Sequence, residues 1–456
     1  MVVRMLRPAV LVPDEQAWTM AGVDVRAAGF ETAVSPEGAS VLAGPERVPG
    51  ELAAAVGEAW DLMPEPRRVE VLGDPFDPGV PLAEVLDVGR QGEHAGMDHG
   101  QHAGMDQTEH ASTDHGEDEH AGMDHGQHAG MDHAPHAATN HGEVDHAGMD
   151  HADMMEITGD PSRDGLVMEP TDFALGPLSP ALPTGLVAEL SLDGDVVASC
   201  RVRATLRAGR DALTPRAWTA ATRDLVAAER IVAVEVERAL SHAAWLRRFA
   251  ELLGWPLLAD RAGDAVVALF AGAPGRIDFD AARRALAASG RLVESRAFRS
   301  RTAGRAVIDA AGALALGLTG PIARASGVPR DARSEDPAYA DLGFEPVTRK
   351  AGDAAARTEV RAEEAVAALD LAQAALGADL PFAPSSTVEG PRGPISDGTT
   401  PGALEAVALA GGLVIGLEWS AALAALASFD LSPWNVTAPD PRRGHSHPHA
   451  IQEAAR

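Results

Sequence analysis

The stretch "GLTGPIARASGVPRDARSEDPAY" at 317–339, with "GDAAARTEVRAEEAV" at 352–366, decides how the rest of the chain is read. The first opens on a Thr-Gly-Pro turn and sets Arg324, Asp331 and Arg333 along a short segment rich in turn residues. The second begins an Ala-rich run over 352–376 whose composition predicts a helix, because alanine loses no side-chain entropy on entering one. Arg357 and Arg361 stand four apart, so they share a face of that helix and can line one cleft with the first three charges. On its residues alone such a constellation can be a solvated turn.

Upstream, 215–254 is a long amphipathic run. Within it Glu235, Arg238 and His242 fall at intervals of three, four and seven, so Arg238 can pair with Glu235 and His242 can accept from a neighbour. A buried ion pair that fixes helix packing is the favoured reading of this face, since such pairs more often serve structure than chemistry. "DFDAARRALAASG" at 278–290 predicts a shorter helix with a Gly stop. "GLVAELSLDGDVVASCRVRATL" at 185–206 alternates around Asp-Gly, a β-hairpin signal, and "TPGALEAVALAGGLVIGLEWSAALAALASFD" at 400–430 closes the fold. The apolar run 406–417 is too short to span a bilayer and is expected in the core. Glu389 is expected to be a turn residue, Cys200 a buried strand residue, and Trp245, Trp255, Trp419 and Trp434 core or interface anchors.

The front of the chain has another pattern. "ASVLAGPERV" at 39–48 reads as a buried strand ending in a Gly-Pro turn, "PGELAAAVGEAWDLM" at 49–63 as a helix, and "RRVEVLGDP" at 67–75 as a second strand. This is a βαβ unit with a loop at the carboxyl end of its second strand, where α/β folds place ligands. The opening residues, broken by Pro8 and Pro13, read as a first strand and not as a secretory signal.

Between front and body, 91–156 loses all hydrophobic periodicity and becomes a repeat of about 26 residues of His, Met, Asp and Gly, exemplified by "HAGMDHGQHAGMDH" at 120–133. It holds 15 Asp plus Glu and no Lys or Arg, against a whole-chain charge of −29 from 67 acidic and 38 basic residues. Each unit lacks the apolar residues to bury a face, so disorder is expected. Thirteen of the 17 histidines lie here, at His94, His99, His102, His110, His115, His120, His125, His128, His133, His136, His141, His146 and His151. They are interleaved with Met97, Met105, Met123, Met131 and Met149. Imidazole suits Ni, Cu and Zn and thioether favours Cu(I), so the tract is a candidate metal-binding segment; a solvated linker is the alternative. The net acidity argues against nucleic acid as a partner. The expected fold class is α+β: an α/β domain over 1–90, the disordered insertion over 91–156, a mainly helical domain with an N-terminal hairpin over 157–438, and a polar tail over 439–456 carrying His445, His447 and His449. Without a candidate span or leader, a cytoplasmic protein is the default.

Several motifs carry a resemblance. "LGPLSPALPTGLVAELSLDGDVV" at 175–197, "ERIVAVEVERALSHAAWL" at 229–246, the two opening stretches and "VEGPRGP" at 388–394 resemble, in order, the 49 kDa subunit of respiratory NADH-quinone oxidoreductase and its relatives, the large subunits of [NiFe] hydrogenases. Gly320, Pro321, Arg324, Ser326, Gly327, Asp331, Arg333, Gly352, Asp353, Arg357, Arg361 and Glu364 stand at the family's positions. The segment 39–75 is similar to the small, cluster-bearing subunit of the same complexes. The resemblance implies an oxidoreductase of NADH and quinone, with NAD and quinone binding in the assembly and partners among its other subunits. It also implies a place on the inner face of the cell membrane, sets Glu235, Arg238 and His242 near an interior cavity, and puts Arg324, Asp331 and Arg333 in a retained interdomain contact, with a solvated turn as the alternative.

The departures shape the expected function. The resemblance implies cysteines where this sequence has Gly73-Asp74-Pro75 and two Cys-x-x-Cys pairs for a Ni–Fe centre, yet Cys200 is the single cysteine. It implies two histidines for quinone where Ser179 and Pro183 or Thr184 stand, and a quinone-contacting tyrosine in a stretch this chain has shortened; Tyr339 matches a structural position. The expectation is a component without its own Fe–S or Ni–Fe ligands, structural or regulatory, with metal delivery through the repeat or residual quinone reduction as the alternatives.

Overall fold

The computed structural model describes residues 9–11, 30–33, 35–71, 80–86, 170–206, 227–270, 277–381, 387–396 and 400–432. The histidine repeat, Gly73-Asp74-Pro75, 215–226 of the long amphipathic run, Trp434 and the polar tail lie outside the described residues.

The front forms the βαβ unit its pattern predicts. Ala9–Leu11 (β1), Glu31–Thr32 (β2), Val41–Gly44 (β3) and Arg68–Val71 (β5) make a parallel sheet in the order β2-β1-β3-β5. Between β3 and β5 run Arg47–Val48 (β4) and the helix Gly50–Leu62 (α1), which begins just after Pro49. A crossover of this kind is what two adjacent parallel strands require. β4 pairs antiparallel with Val80–Pro81 (β6). α1 turns Leu52, Val56, Ala59 and Trp60 onto Leu42 of β3, and this core also takes Leu178 and Leu206 from beyond the repeat.

The body opens on three antiparallel strands, Thr171–Leu175 (β7), Leu186–Asp193 (β8) and Val196–Ala204 (β9). The β8–β9 hairpin turns at Gly194, as the Asp-Gly signal predicts; β7 is an addition to that reading. Cys200 lies half-buried on β9 opposite Leu190.

Four helices follow from the apolar spacing of their sequences: Ala227–Leu252 (α2), Pro256–Phe270 (α3), Phe279–Val293 (α4) and, later in the chain, Ala354–Ala375. α2 packs on α3, α3 on α4, and both α4 and α2 on the fourth, closing a bundle. Leu240, Val266, Leu286 and Leu369 meet in its core. Phe249, Phe298 and Trp245 fill one end, Trp245 stacked on Phe249 at 4.7 Å. Each such side chain stabilises the fold by roughly 1.5–3 kcal/mol of transfer free energy. α4 does not stop at Gly290: it continues to Val293, which is fully buried, so burial of that last turn outweighs glycine's roughly 1 kcal/mol penalty inside a helix.

The connection from α4 to the fourth helix carries the short helices Arg296–Thr302 (α5), Ala310–Ala315 (α6), Gly320–Ala325 (α7) and Pro337–Asp341 (α8). The fourth bundle helix, Ala354–Ala375, is therefore α9; Asp353 caps it by accepting from Ala356 N at 2.8 Å. Thr387–Gly390 (β10) and Gly393–Ser396 (β11) form a hairpin, and Ala403–Gly412 (α10) and Trp419–Phe429 (α11) complete the described body. The run 406–417 is thus a helix end plus a turn, in which Val197 N donates to Leu417 O and Gly416 N to Val197 O, so the turn is stitched to β9. No helix among the described residues is long and apolar enough to cross a membrane.

Candidate functional site

One face of α2 presents Glu235, Arg238 and His242, all of them buried. Their spacing brings Arg238 Nε to 3.0 Å from Glu235 Oε2, the pair expected from the sequence. What surrounds that pair comes from far along the chain. Arg238 Nη1 donates to Gly390 O at 3.0 Å and Nη2 to Glu389 O. Glu235 Oε2 also accepts from Arg333 Nη1 at 3.1 Å, and its Oε1 accepts from Tyr339 Oη at 2.7 Å. Arg333 holds Asp331 in a fork, Nε to Oδ1 at 3.0 Å and Nη2 to Oδ2 at 2.8 Å, while its plane lies 4.2 Å from the Phe344 ring.

Arg324 of α7 is the second hub. Its Nη1 reaches both Asp331 Oδ2 at 3.0 Å and Glu389 Oε1 at 2.8 Å, and its Nε meets Glu364 of α9. Glu364 Oε2 lies 3.3 Å from His242 Nε2, which closes the network back onto α2. The solvated-turn alternative for Arg324, Asp331 and Arg333 is therefore corrected: none is more than 6% exposed, because each finds its counter-charge inside the protein. Glu389 is corrected too. It is a buried strand residue of β10, with Oε2 accepting from Ala332 N at 3.0 Å.

Two glycines make this approach possible. Gly320 at the start of α7 has φ +64°, and a Cβ there would fall 2.1 Å from Arg392 O in the β10–β11 turn. Gly352 has φ +63°, and a Cβ would fall 1.8 Å from Ile308 O. Both conformations suit glycine, and both positions let backbone meet backbone at either end of the charged segment.

The electrostatics follow from burial set against neighbours. Burial alone would raise the Glu364 carboxyl, but Arg324 and then His242 hold it at about 2. Burial opposes the Asp331 charge as well, and Arg333 and Arg324 overcome it, keeping Asp331 well below the usual carboxylate range. Arg333 and Arg324 are held above their ordinary value by these carboxylates despite burial. Burial pushes His242 down, more than Glu364 lifts it, and burial with Glu235 pushes the Tyr339 phenol up.

Arg357 and Arg361 of α9 belong to a different cluster. Arg357 Nη1 donates to Ala306 O at 3.0 Å and Gly352 O at 2.8 Å, its Nε donates to Ser428 Oγ at 2.9 Å, and its plane covers Phe429 at 4.1 Å. Arg361 donates to Ser428 O at 2.9 Å and Phe429 O at 3.0 Å and covers Trp245 at 4.5 Å. Burial, which their neighbours only partly offset, lowers Arg361, and burial with Arg361 beside it lowers Arg357. Nearby, Asp430 accepts from Arg392 at 3.1 Å and lies 3.7 Å from Arg248.

A cavity of about 510 Å³ opens beside the first cluster, lined by Asp331, Arg333, Tyr339, Glu389, Val234 and Pro394 among others. It gives a polar network a wet boundary, an arrangement suited to holding or passing a proton or admitting a small polar ligand. Among the described residues no group of three or more His, Cys, Asp and Glu stands together as a metal site. Cys200 is remote from this network in sequence, and burial pushes its thiol up to about 11. Ser179 Oγ accepts from Ala181 N at 3.2 Å, and Thr184 is buried. The residues that sequence reasoning left out of the site are Glu364, Glu389 and Tyr339. A signal existed for Glu364: it lies three residues after Arg361 and continues the 357, 361, 364 face of that helix.

Residues 280–388 match the family described as respiratory-chain NADH dehydrogenase, 49 Kd subunit. The chain is 46% identical over 81 residues to the D 2 subunit of NADH-quinone oxidoreductase from Salinispora arenicola, covering 17% of this chain and 21% of that protein. Over 102 residues it is 38% identical to the D subunit of F(420)H(2) dehydrogenase from Methanosarcina mazei, covering 22% and 27% respectively. A chain from the structure of the membrane-bound sulfane sulfur reductase, an archaeal respiratory membrane complex, aligns with a TM-score of 0.47 at 20% identity, over 59% of this chain and 98% of that one. The chain spans about a fifth to a quarter of the length of these curated relatives. Arg324, Asp331, Arg333, Tyr339 and Glu364 lie inside the matched family segment, and Glu235, Arg238, His242 and Glu389 outside it.

Proposed function

We propose that this chain, which is kin to the 49 kDa subunit family through residues 280–388, is part of a membrane-associated oxidoreductase assembly in which it serves structure or regulation and leaves electron transfer to its partners. One observation carries the reading: the family segment folds around a buried, ion-paired network, while the sequence offers a single thiol. A Ni–Fe centre held by two Cys-x-x-Cys pairs or a cluster held by four thiolates does not fit that donor set, and the one thiol is half-buried and hard to deprotonate. For quinone, Ser179 and either Pro183 or Thr184 stand where the resemblance implies imidazoles, so the inherited donors are weak ones or missing. NAD, on this reading, binds to other subunits. The front unit over 1–90 serves as the retained small-subunit-like partner of the body, and the assembly sits peripherally on the membrane.

Purification of the native protein from membranes under mild detergent tests this. Co-purification with cluster-bearing or quinone-binding polypeptides is expected. A monomer that captures none, or steady-state turnover of NADH with a soluble quinone by the isolated chain, would sink it.

A second reading has its own observation, the thirteen histidines and interleaved methionines of 91–156. In it the body presents the repeat as a nickel, copper or zinc reservoir, with affinity falling as pH drops through about 6.5 because imidazole must be neutral to ligate. Isothermal titration of the full chain, beside a variant lacking 91–156, with Ni(II), Cu(I) and Zn(II) separates this role from that of a solvated linker. Equal, millimolar binding by the two proteins leaves the linker.

A further inference from the structure

The buried network contains four carboxyl groups, Glu235, Asp331, Glu364 and Glu389, and three guanidinium groups bonded to them, Arg238, Arg324 and Arg333, with a fourth, Arg361, acting on Glu364 and His242 through space. Within it Asp331 and Glu389 lean on one guanidinium group, that of Arg324, and two buried carboxylates on one cation repel each other, so the arrangement calls for one further proton. Two groups could carry it, His242 or one of the carboxyls.

The geometry points to Glu389, and we propose that this carboxyl holds a proton at neutral pH and exchanges it with solvent through the 510 Å³ cavity it lines. Asp331 Oδ2 and Glu389 Oε1 both sit on the same nitrogen, Arg324 Nη1, at 3.0 and 2.8 Å. Two carboxylates sharing one donor cannot both ionise cheaply. Asp331 has the fork of Arg333 besides, at 3.0 and 2.8 Å, so it keeps its charge. Glu389 has only the backbone N–H of Ala332 on its second oxygen.

Each packed element adds to this balance. From α7 comes Arg324, from the 331–333 turn Asp331 and Arg333, from α2 Glu235 and Arg238, and from α9 Glu364, whose charge Arg324 already answers. Arg238 gives two of its donors to the carbonyls of Glu389 and Gly390, and Arg392 in the adjoining turn pairs with Asp430. His242 is 1% exposed and has Arg361 and Arg238 near it, which keeps it neutral although Glu364 is close. Burial and the neighbouring Asp331 charge push the Glu389 carboxyl above its ordinary value. On release, the Glu389 O–H bond breaks, the proton passes to cavity water, and the network gains one negative charge. This site stands whether or not the chain joins an oxidoreductase assembly.

Infrared spectroscopy of the full-length protein reads the proton directly. At pH 7 exposed Asp and Glu are ionised, so a carbonyl band of un-ionised carboxylic acid reports a buried one. The wild type is expected to show that band, shifted in D2O; Glu389→Gln is expected to lose it and His242→Gln to keep it. Absence of the band from wild type, which needs no variant to fold, overturns the assignment. So does an undiminished band in folded Glu389→Gln. Stability gives a second readout: a carboxyl whose folded pKa is raised contributes fully below its unfolded value of about 4.3 and loses that contribution as pH rises through the folded value. Glu389→Gln should flatten the decline between those two values; an unchanged slope in a folded variant counts against the site.

Discussion

Two arginine clusters meet α9, and they solve the same problem in opposite ways. Arg324 and Arg333 are answered by carboxylates from α2, α9, β10 and the 331–333 turn. Arg357 and Arg361, equally buried, are hydrogen-bonded to carbonyl oxygens and one serine hydroxyl and lie on the faces of Phe429 and Trp245, with Asp353 acting on Arg357 and Asp430 and Glu364 on Arg361 only through space. Carboxylates raise the arginine pKa in the first cluster, whereas in the second burial wins and lowers it. The difference teaches where the fold commits charge: an ionic cluster becomes unstable when one member is removed, because its bonded partners stay charged, while a dipolar cluster leaves mainly neutral acceptors without their donor.

The sharpest way to break this comparison is Arg324→Met. It strips the shared donor from Asp331, Glu364 and Glu389, and a loss of about 3–5 kcal/mol is expected from orphaned buried charge. Denaturant unfolding followed by circular dichroism measures it. Acid titration comes next. Glu364 is held at about 2 against an ordinary 4.5, so its stabilisation is fully present above the unfolded value and drains away as pH falls from about 5 towards 2. Glu364→Gln should blunt that acid limb, and an unchanged limb in the folded variant would show that other carboxylates carry it.

Arg357→Met should cost less, about 1–3 kcal/mol, the range for buried acceptors that lose a donor. Methionine keeps an apolar contact with Phe429, Gly352 O still accepts from Ile308 N, and Ser428 Oγ still donates to Ala425 O at 2.7 Å. If Arg357→Met equals or exceeds Arg324→Met in the same unfolding experiment, the distinction between ionic and dipolar burial fails.

How much of this could be read in advance depended on sequence distance. The β8–β9 hairpin was legible because its turn and its alternation lie within 22 residues, and α9 because alanine content predicts helix directly. Glu235 and Arg238 were legible as a pair because three residues separate them. Glu389 reads locally as a turn residue because its partners are remote: Arg238 is 151 residues away and Arg324 65. Tyr339, 104 residues from Glu235, gave no local sign of its bond. β7 was missed because "TDFAL" is short and its exposed edge shows no clean alternation. Gly290 misled in the other direction, as a local stop signal overridden by the burial of Val293.

The smallest expected effect sharpens the comparison from outside it. Arg261 and Asp264 of α3 form a pair at 3.0 Å, as close as Arg238 and Glu235 in the buried network, yet their side chains are 48% and 57% exposed. Water solvates both partners when the bond is broken, and salt screens them when it is made. Arg261→Ala should therefore cost no more than about 0.5 kcal/mol, and raising salt to about 1 M should erase even that while leaving the Arg324→Met penalty almost untouched. If the two substitutions cost alike, proximity and not burial sets the worth of an ion pair in this protein, and the distinction between the arginine clusters loses its physical basis.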